Sequence, residues 1–340
     1  MKTVIMNETL KEIAAKNDTL LTATIELTNK CNFRCEHCYL ASHSCEIDVK
    51  KVFSLIDELK KCGVLYLTLT GGEIFVYKNI MDVIKYARKL GISVTLFTNL
   101  SLLDKDIITE LKKLYISEIS TTIFSLNNEV NDSITNVKGS LKRIMENVKL
   151  VKEAGIPMEI KTPIMMKNVD DVGDVKRFCE DNGFKFNYTS EIVSKLDGNN
   201  APIKLYAKQK NIAKALSFLN YEERVESRKG FNPDEPMCRT LGHNISITCY
   251  GEIQPCISFP ISYGSIYNTT IEDVWKSSLL KRRLVSIRNS DLKECIKCKY
   301  ADECLRCPGI AYSEGKDYLG CAPQAKLTAT AFQISQEDYR

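Results

Sequence analysis

Three cysteines crowd the run CNFRCEHCYL near the start of the chain. Cys31, Cys35 and Cys38 follow a C-x₃-C-x₂-C rhythm, and the next cysteine, Cys45, comes seven residues later. No fourth thiolate therefore arrives in time to close a tetrahedral shell. A triplet of this kind suits a zinc site, a redox pair or an iron–sulfur ligand set. A four-iron cubane held by three thiolates keeps one iron open for a further ligand, by the same logic that leaves a position vacant on a catalytic zinc.

A second group opens at Cys238. It continues through Gly251-x₄-Cys256, then Cys295-x₂-Cys298-x₅-Cys304-x₂-Cys307, and ends at Cys321. In all, 14 of the 340 residues are cysteine. The first residues lack the apolar core and cleavage site of a secretory signal, so the chain is placed in the cytoplasm. Disulfides are rare in reducing cytosol, which turns the reading toward metal or redox chemistry. C-x₂-C pairs also build zinc knuckles, and zinc stays open as an alternative on spacing alone. Cys62 and Cys179 fall in helical patterns and read as small buried hydrophobes. With 44% hydrophobic and 26% charged residues the composition is that of an ordinary globular chain. The formal charge of +4 is spread along helical faces, so neither a nucleic-acid nor a membrane footprint is indicated. No apolar run is long enough to span a bilayer.

The elements that must position these thiols alternate from residue 20 to about 215. Strand-like runs at 19–27, 64–70, 92–98, 118–124, 156–165 and 184–188 are interleaved with amphipathic helical runs at 48–63, 78–91, 104–114, 140–155 and 169–183. Such alternation predicts an α/β fold, a partial (β/α)6 barrel of parallel strands with helices outside and functional loops at the strands' C-terminal ends. The cysteine triplet falls just after the first strand, at that mouth. Past residue 215 the pattern turns irregular, with one long helix expected around 271–284. That region reads as a small Cys-rich iron–sulfur domain held together by its metal. The expected divisions are an N-terminal segment 1–19, the barrel 20–215, a linker 216–237, the Cys-rich domain 238–325 and a tail 326–340.

C-x₃-C-x₂-C after the first strand of such a barrel resembles the radical S-adenosylmethionine (radical SAM) enzymes. The resemblance implies that Cys31, Cys35 and Cys38 hold a 4Fe–4S cluster whose open iron chelates the methionine moiety of SAM. It places His37 beside the adenine. TLTGGE (68–73) resembles the segment that meets the methionine amino group, through Gly71, Gly72 and Glu73, although Ile74 stands where the family usually has proline. The FTN run brings Asn99 to the end of strand three; Thr122 occupies the family's usual serine, and with Lys161 it is a candidate for the carboxylate and ribose of SAM.

The second cysteine group resembles the SPASM extension of peptide- and protein-modifying radical SAM enzymes, which carries two auxiliary 4Fe–4S clusters. By that resemblance Cys238, Cys256 and Cys307 hold the first, and Cys295, Cys298, Cys304 and Cys321 the second. The last pair of the central run is one residue closer than the family spacing. Cys249, near the hairpin tip ITCYGEI, either completes the first set or stays a free thiol.

These resemblances imply an enzyme that reductively cleaves SAM to a 5′-deoxyadenosyl radical and abstracts hydrogen from a ribosomally made peptide. The preferred outcome is thioether or carbon–carbon crosslinking. Peptide epimerisation and formylglycine formation are the alternatives within the family, and a zinc-stabilised binding module is the alternative outside it. The implied partners are a leader-bearing precursor peptide and an electron donor such as flavodoxin or ferredoxin, with no nucleic acid and no membrane. The short stretch before the first strand leaves no room for an N-terminal peptide-recognition domain.

Overall fold

A computed structural model describes residues 2–226 and 230–338. Residues 227–229 of the expected linker and 339–340 of the expected tail lie outside the described residues.

All six expected barrel strands form: β1 (Thr22–Thr28), β2 (Tyr66–Gly71), β3 (Ser93–Phe97), β4 (Glu118–Thr122), β5 (Met158–Pro163) and β6 (Lys185–Thr189). Neighbours pair in parallel, as βαβ crossovers require. The five expected helices form between them, at Val49–Lys61, Ile80–Lys89, Lys105–Lys113, Ser140–Ala154 and Val172–Asn182. Each buries an apolar stripe at three- and four-residue spacing; Val52, Leu55, Ile56 and Leu59 are the first such stripe. Alternate strand residues such as Ile25, Leu69, Leu96 and Ile160 face these helices in one core. The opposite parity points polar side chains to the concave face, where Ser120 and Asn187 both donate to Glu159.

The sheet does not stop at β1. A strand of the Cys-rich region, β7 (Asn244–Ile247), adds in parallel to β1, and β8 (Glu252–Gln254) and β9 (Gly264–Ser265) follow antiparallel. The C-terminal region therefore shares the main core through Ile245, Ile247, Ile253 and Trp275. Its strands are too short to signal themselves by periodicity, which is why the region reads as irregular in the sequence.

Four more elements depart from expectation. A helix at Asn128–Thr135 occupies the polar run after β4, capped by Asn127 and ended by Asn136 in the left-handed conformation. The helix expected at 271–284 is two, Ile271–Ser277 and Leu279–Ser286, because Ser278 leaves helical geometry and caps the second. Within the expected linker, Tyr221–Glu226 is helical and Tyr221 is buried. Residues of the expected tail belong to a helix, Pro323–Asp338, packed on the helix Gln209–Ser217. The buried face of this last helix is built from Ala325, Thr328, Ala329, Ala331 and Ser335, with Phe332 its large apolar side chain. A search for leucine- and isoleucine-rich stripes overlooks such a face. Among the described residues no helix is long and apolar enough to cross a membrane.

Candidate iron–sulfur and SAM site

The loop that carries the triplet is closed by its own backbone. Buried Asn29 donates its N–H to the Cys45 carbonyl at 3.0 Å, and its Oδ1 accepts from the Cys45 N–H at 2.6 Å. Between these ends the loop rests on the unexpected helix: the Arg34 and Glu36 N–H groups donate to the carbonyls of Thr135 and Ile134 at 3.1 and 3.0 Å. Those carbonyls lie in the last turn, where a helix has no intrahelical donors left. The helix 128–135 is thus the seat of the cysteine loop.

Within the loop the three thiols gather. Burial pushes the Cys31 thiol up to about 11, and repulsion from Glu73 and Cys38 adds to it. Cys35 and Cys38 are pushed up in the same way, chiefly by burial, and Cys35 feels both other thiols. Deprotonating three buried neighbours needs a cationic centre, and thiolate ligation by iron supplies it. His37 packs edge-on against Phe124 at 5.0 Å. Its Nδ1 is buried without a partner among the described residues, and burial holds the ring's pKa down to about 4. A neutral imidazole with an orphaned nitrogen beside the thiols fits a ligand-facing group.

The glycines and Glu73 hold the start of the cysteine loop. β1 ends in a register shift between Glu26 and Thr28 that brings the Thr28 carbonyl over β2. A Cβ on Gly71 (φ +146°) would stand 2.0 Å from that oxygen, and one on Gly72 would stand 2.3 Å from the Lys30 carbonyl. The N–H groups of Gly72 and Glu73 donate to Thr28 and Lys30 at 2.8 and 2.9 Å. The pair is therefore needed for the start of the cysteine loop to cross β2. The Glu73 carboxylate is fully buried. It accepts from the Phe75 N–H at 3.0 Å, the Thr98 hydroxyl at 2.7 Å and the Asn99 N–H at 2.6 Å. These three bonds fix the carboxylate and let it position Asn99.

Asn99 does reach the site. Its Nδ2 donates to Asn32 at 2.9 Å and points at Cys31 Sγ from 3.9 Å, in the manner of a group that steadies a metal ligand. Thr122 stands opposite Lys161 in the β4–β5 register. Lys161 Nζ lies 3.4 Å from the Phe97 ring centroid and pairs with Glu159 at 3.2 Å, so this cation is held on the concave face rather than solvated. Sequence reasoning missed Thr98, Glu159 and the buried Glu26, which accepts from the Tyr39 hydroxyl next to Cys38. A charged residue inside the run TLLTATIEL was the available signal for Glu26.

The second group of thiols divides in two. Burial pushes Cys256 up to about 12, with Cys307 and Cys238 its nearest thiols. Gly309 lets the turn after Cys307 approach the Cys256 loop, since a Cβ there would stand 2.2 Å from the Ser258 carbonyl. Cys295 feels Cys321 and Cys298 instead. Cys238, Cys295, Cys298, Cys304, Cys307 and Cys321 all line one cavity of about 780 Å³. Among the described residues no three His, Cys, Asp or Glu side chains close on a single ion. Cys249 joins neither set: its side chain shares the parity of Ile245 and Ile247 and lies against Cys45 in the main core. A separate cavity of about 380 Å³ lies between the end of β6 and Cys307; Thr189, Ser190, Glu191, Arg224 and Ser258 line it. The C-terminal helix fixes that wall, with Gln324 hydrogen-bonded to both the N–H and the carbonyl of Ile192 at 2.7 and 2.8 Å.

Residues 25–181 match the model of the radical SAM superfamily, and residues 238–308 match SPASM, an iron–sulfur cluster-binding domain. The chain is 29% identical over 307 residues to the antilisterial bacteriocin subtilosin biosynthesis protein AlbA of Bacillus subtilis (strain 168), covering 84% of this chain and 67% of that protein. It is 23% identical over 325 residues to an AdoMet-dependent heme synthase of Methanosarcina barkeri, covering 86% and 93% of the two chains. The crystal structure of Streptococcus suis SuiB bound to precursor peptide SuiA shares the fold, with a TM-score of 0.69 at 19% identity over 94% of this chain and 79% of that one.

Proposed function

Carrying a radical SAM domain and a SPASM domain after it, the chain belongs to the radical SAM superfamily, and we propose that it modifies a ribosomally made peptide by hydrogen abstraction. Cys31, Cys35 and Cys38 would hold the SAM-binding cluster; Cys238, Cys256 and Cys307 the first auxiliary cluster; and Cys295, Cys298, Cys304 and Cys321 the second. When bound, the clusters and SAM supply one-electron chemistry that the side chains cannot. The protein's part is to hold the thiols, to steady Cys31 through Asn99, to keep His37 neutral at the mouth, and to offer the polar concave face of Thr122, Glu159 and Lys161 to SAM. Flavodoxin or ferredoxin would deliver the electrons.

The observation that carries the peptide reading is the cavity of about 380 Å³ at Cys307, opening beside the C-terminal end of β6. Its lining sets Thr189, Ser190, Glu191, Arg224 and Ser258 beside Tyr188, Tyr221, Leu305 and Ile310, a mixed surface that suits an amino-acid side chain. Similarity to the subtilosin biosynthesis protein along most of the chain points the same way. With Cys249 committed elsewhere, the first auxiliary set has three thiols, so a substrate cysteine has a place to ligate and thioether formation is the favoured crosslink.

Co-expression with a short cysteine- or threonine-rich peptide encoded beside the gene, followed by mass spectrometry, tests this. The expected product is lighter by two hydrogens per crosslink. An unmodified peptide together with conversion of a tetrapyrrole would overturn the reading in favour of chemistry like that of the heme synthases.

A further inference from the structure

Two cysteines that no cluster set uses lie side by side. The Cys45 thiol donates to the Cys249 carbonyl at 2.9 Å, and Cys45 packs against the core cluster that holds the Cys249 side chain. Both backbones are pinned. The Cys45 carbonyl accepts from the Thr28 hydroxyl and the Asn29 N–H, each at 3.0 Å, and the turn that carries Cys249 is closed by Thr248 N–H to Glu252 and Gly251 N–H to Thr248 bonds at 3.0 and 2.8 Å. The two differ in depth: Cys249 is 2% exposed, whereas Cys45 reaches the surface in part. They also belong to different pieces of the site, Cys45 to the closing end of the loop that carries the triplet and Cys249 to the turn between β7 and β8.

We propose that Cys45 and Cys249 are a redox-responsive pair that closes to a disulfide when hydrogen peroxide reaches Cys45, latching the cysteine-triplet loop to the β7–β8 turn. In the first step the Cys45 sulfur takes an oxygen from peroxide, giving a sulfenic acid and one water. In the second, the Cys249 sulfur displaces the hydroxyl, forming the S–S bond and a second water; the two electrons lost by the thiols have gone to the peroxide. The partly exposed partner is the one oxidant can reach, and the buried partner is placed to resolve the sulfenic acid. The bridge adds a covalent tie where hydrogen bonds from Thr28 and Asn29 hold the loop ends, so the loop keeps its shape when oxidant strips iron from the triplet.

The test uses the cluster-loaded holoenzyme, treated anaerobically with hydrogen peroxide, quenched with N-ethylmaleimide and digested without reduction. The expected result is a crosslinked peptide pair joining Cys45 to Cys249, placed by fragmentation between Cys38 and Cys45, and absent from the Cys45→Ser and Cys249→Ser proteins. Tryptic cleavage at Arg34 of the oxidised wild type should slow several-fold relative to the reduced protein. Cys45 recovered as sulfinic acid, or bridged to Cys38, with Cys249 still a free thiol would overturn the proposal. The wild-type peptide map decides the matter by itself if either serine variant fails to fold.

Discussion

Replacing Glu73 by glutamine separates a positioning carboxylate from a ligand-binding one. In the native protein Oε1 serves the Phe75 N–H and the Thr98 hydroxyl while Oε2 serves the Asn99 N–H at 2.6 Å. A glutamine can keep the first pair, but its amide nitrogen then faces the Asn99 N–H, donor against donor. The charge-assisted bond is lost, at about 1.5–3 kcal/mol, and a buried N–H is left unpaired, at about 1–3 kcal/mol. These overlap, since both describe one contact, so the expected loss is about 3 kcal/mol. Urea unfolding of the cluster-free protein under reducing, anaerobic conditions measures it. Calorimetric titration of SAM into the reconstituted protein gives the second readout, and affinity should fall no further than displacement of Asn99 from Cys31 requires. A variant that loses less than about 0.5 kcal/mol of stability yet binds SAM tenfold more weakly or worse would refute the reasoning and return the carboxylate to the ligand.

Gly72→Ala should destabilise the cluster-free protein by about 3 kcal/mol or more, because the obstacle at 2.3 Å is backbone and cannot swing away; an unchanged unfolding midpoint would contradict the crossing of the loop over β2. Cys249→Ala should leave iron content and the electron paramagnetic resonance spectrum unchanged, and loss of iron would make Cys249 a cluster ligand. His243, buried and held below its ordinary pKa chiefly by that burial, takes up its proton later than in the unfolded chain as the medium is acidified. The unfolded state therefore binds more protons just below the ordinary histidine range, and stability falls there by at most about 1.4 kcal/mol per pH unit. His243→Asn should flatten that part of the pH profile of unfolding, and an equal slope in the variant would show that other groups cause it.

The barrel was legible because each strand and helix carries a strong period: the Val52–Leu59 stripe and the alternation in β5 name their own faces. The thiol groups were legible because ligand spacing is local in sequence. What escaped was built from weak or distant signals. The helix 128–135 has few large apolar residues, and the C-terminal helix hides its core face in alanine, threonine and serine. The joining of β7 to β1 and the meeting of Cys45 with Cys249 depend on contacts about two hundred residues apart in the chain, which no local pattern encodes. Gly71, Gly72 and Glu73 were found by motif, and the structure adds a loop-holding role that the motif does not carry. Sequence showed residues able to meet a ligand; that they also hold the loop follows from the register shift at the end of β1, which is invisible in sequence.

The central claim is that Cys31, Cys35 and Cys38 hold the cluster at which SAM is cleaved, apart from two clusters held by the C-terminal thiols. The direct measurement is formation of 5′-deoxyadenosine from SAM by the anaerobically reconstituted protein with dithionite as reductant, alongside an iron assay, for the wild type and for the Cys31→Ala, Cys35→Ala, Cys38→Ala triple variant. The wild type should hold about twelve irons per chain and make 5′-deoxyadenosine; the triple variant should hold about eight and make none. A triple variant that keeps its full iron, or still cleaves SAM, would contradict the account.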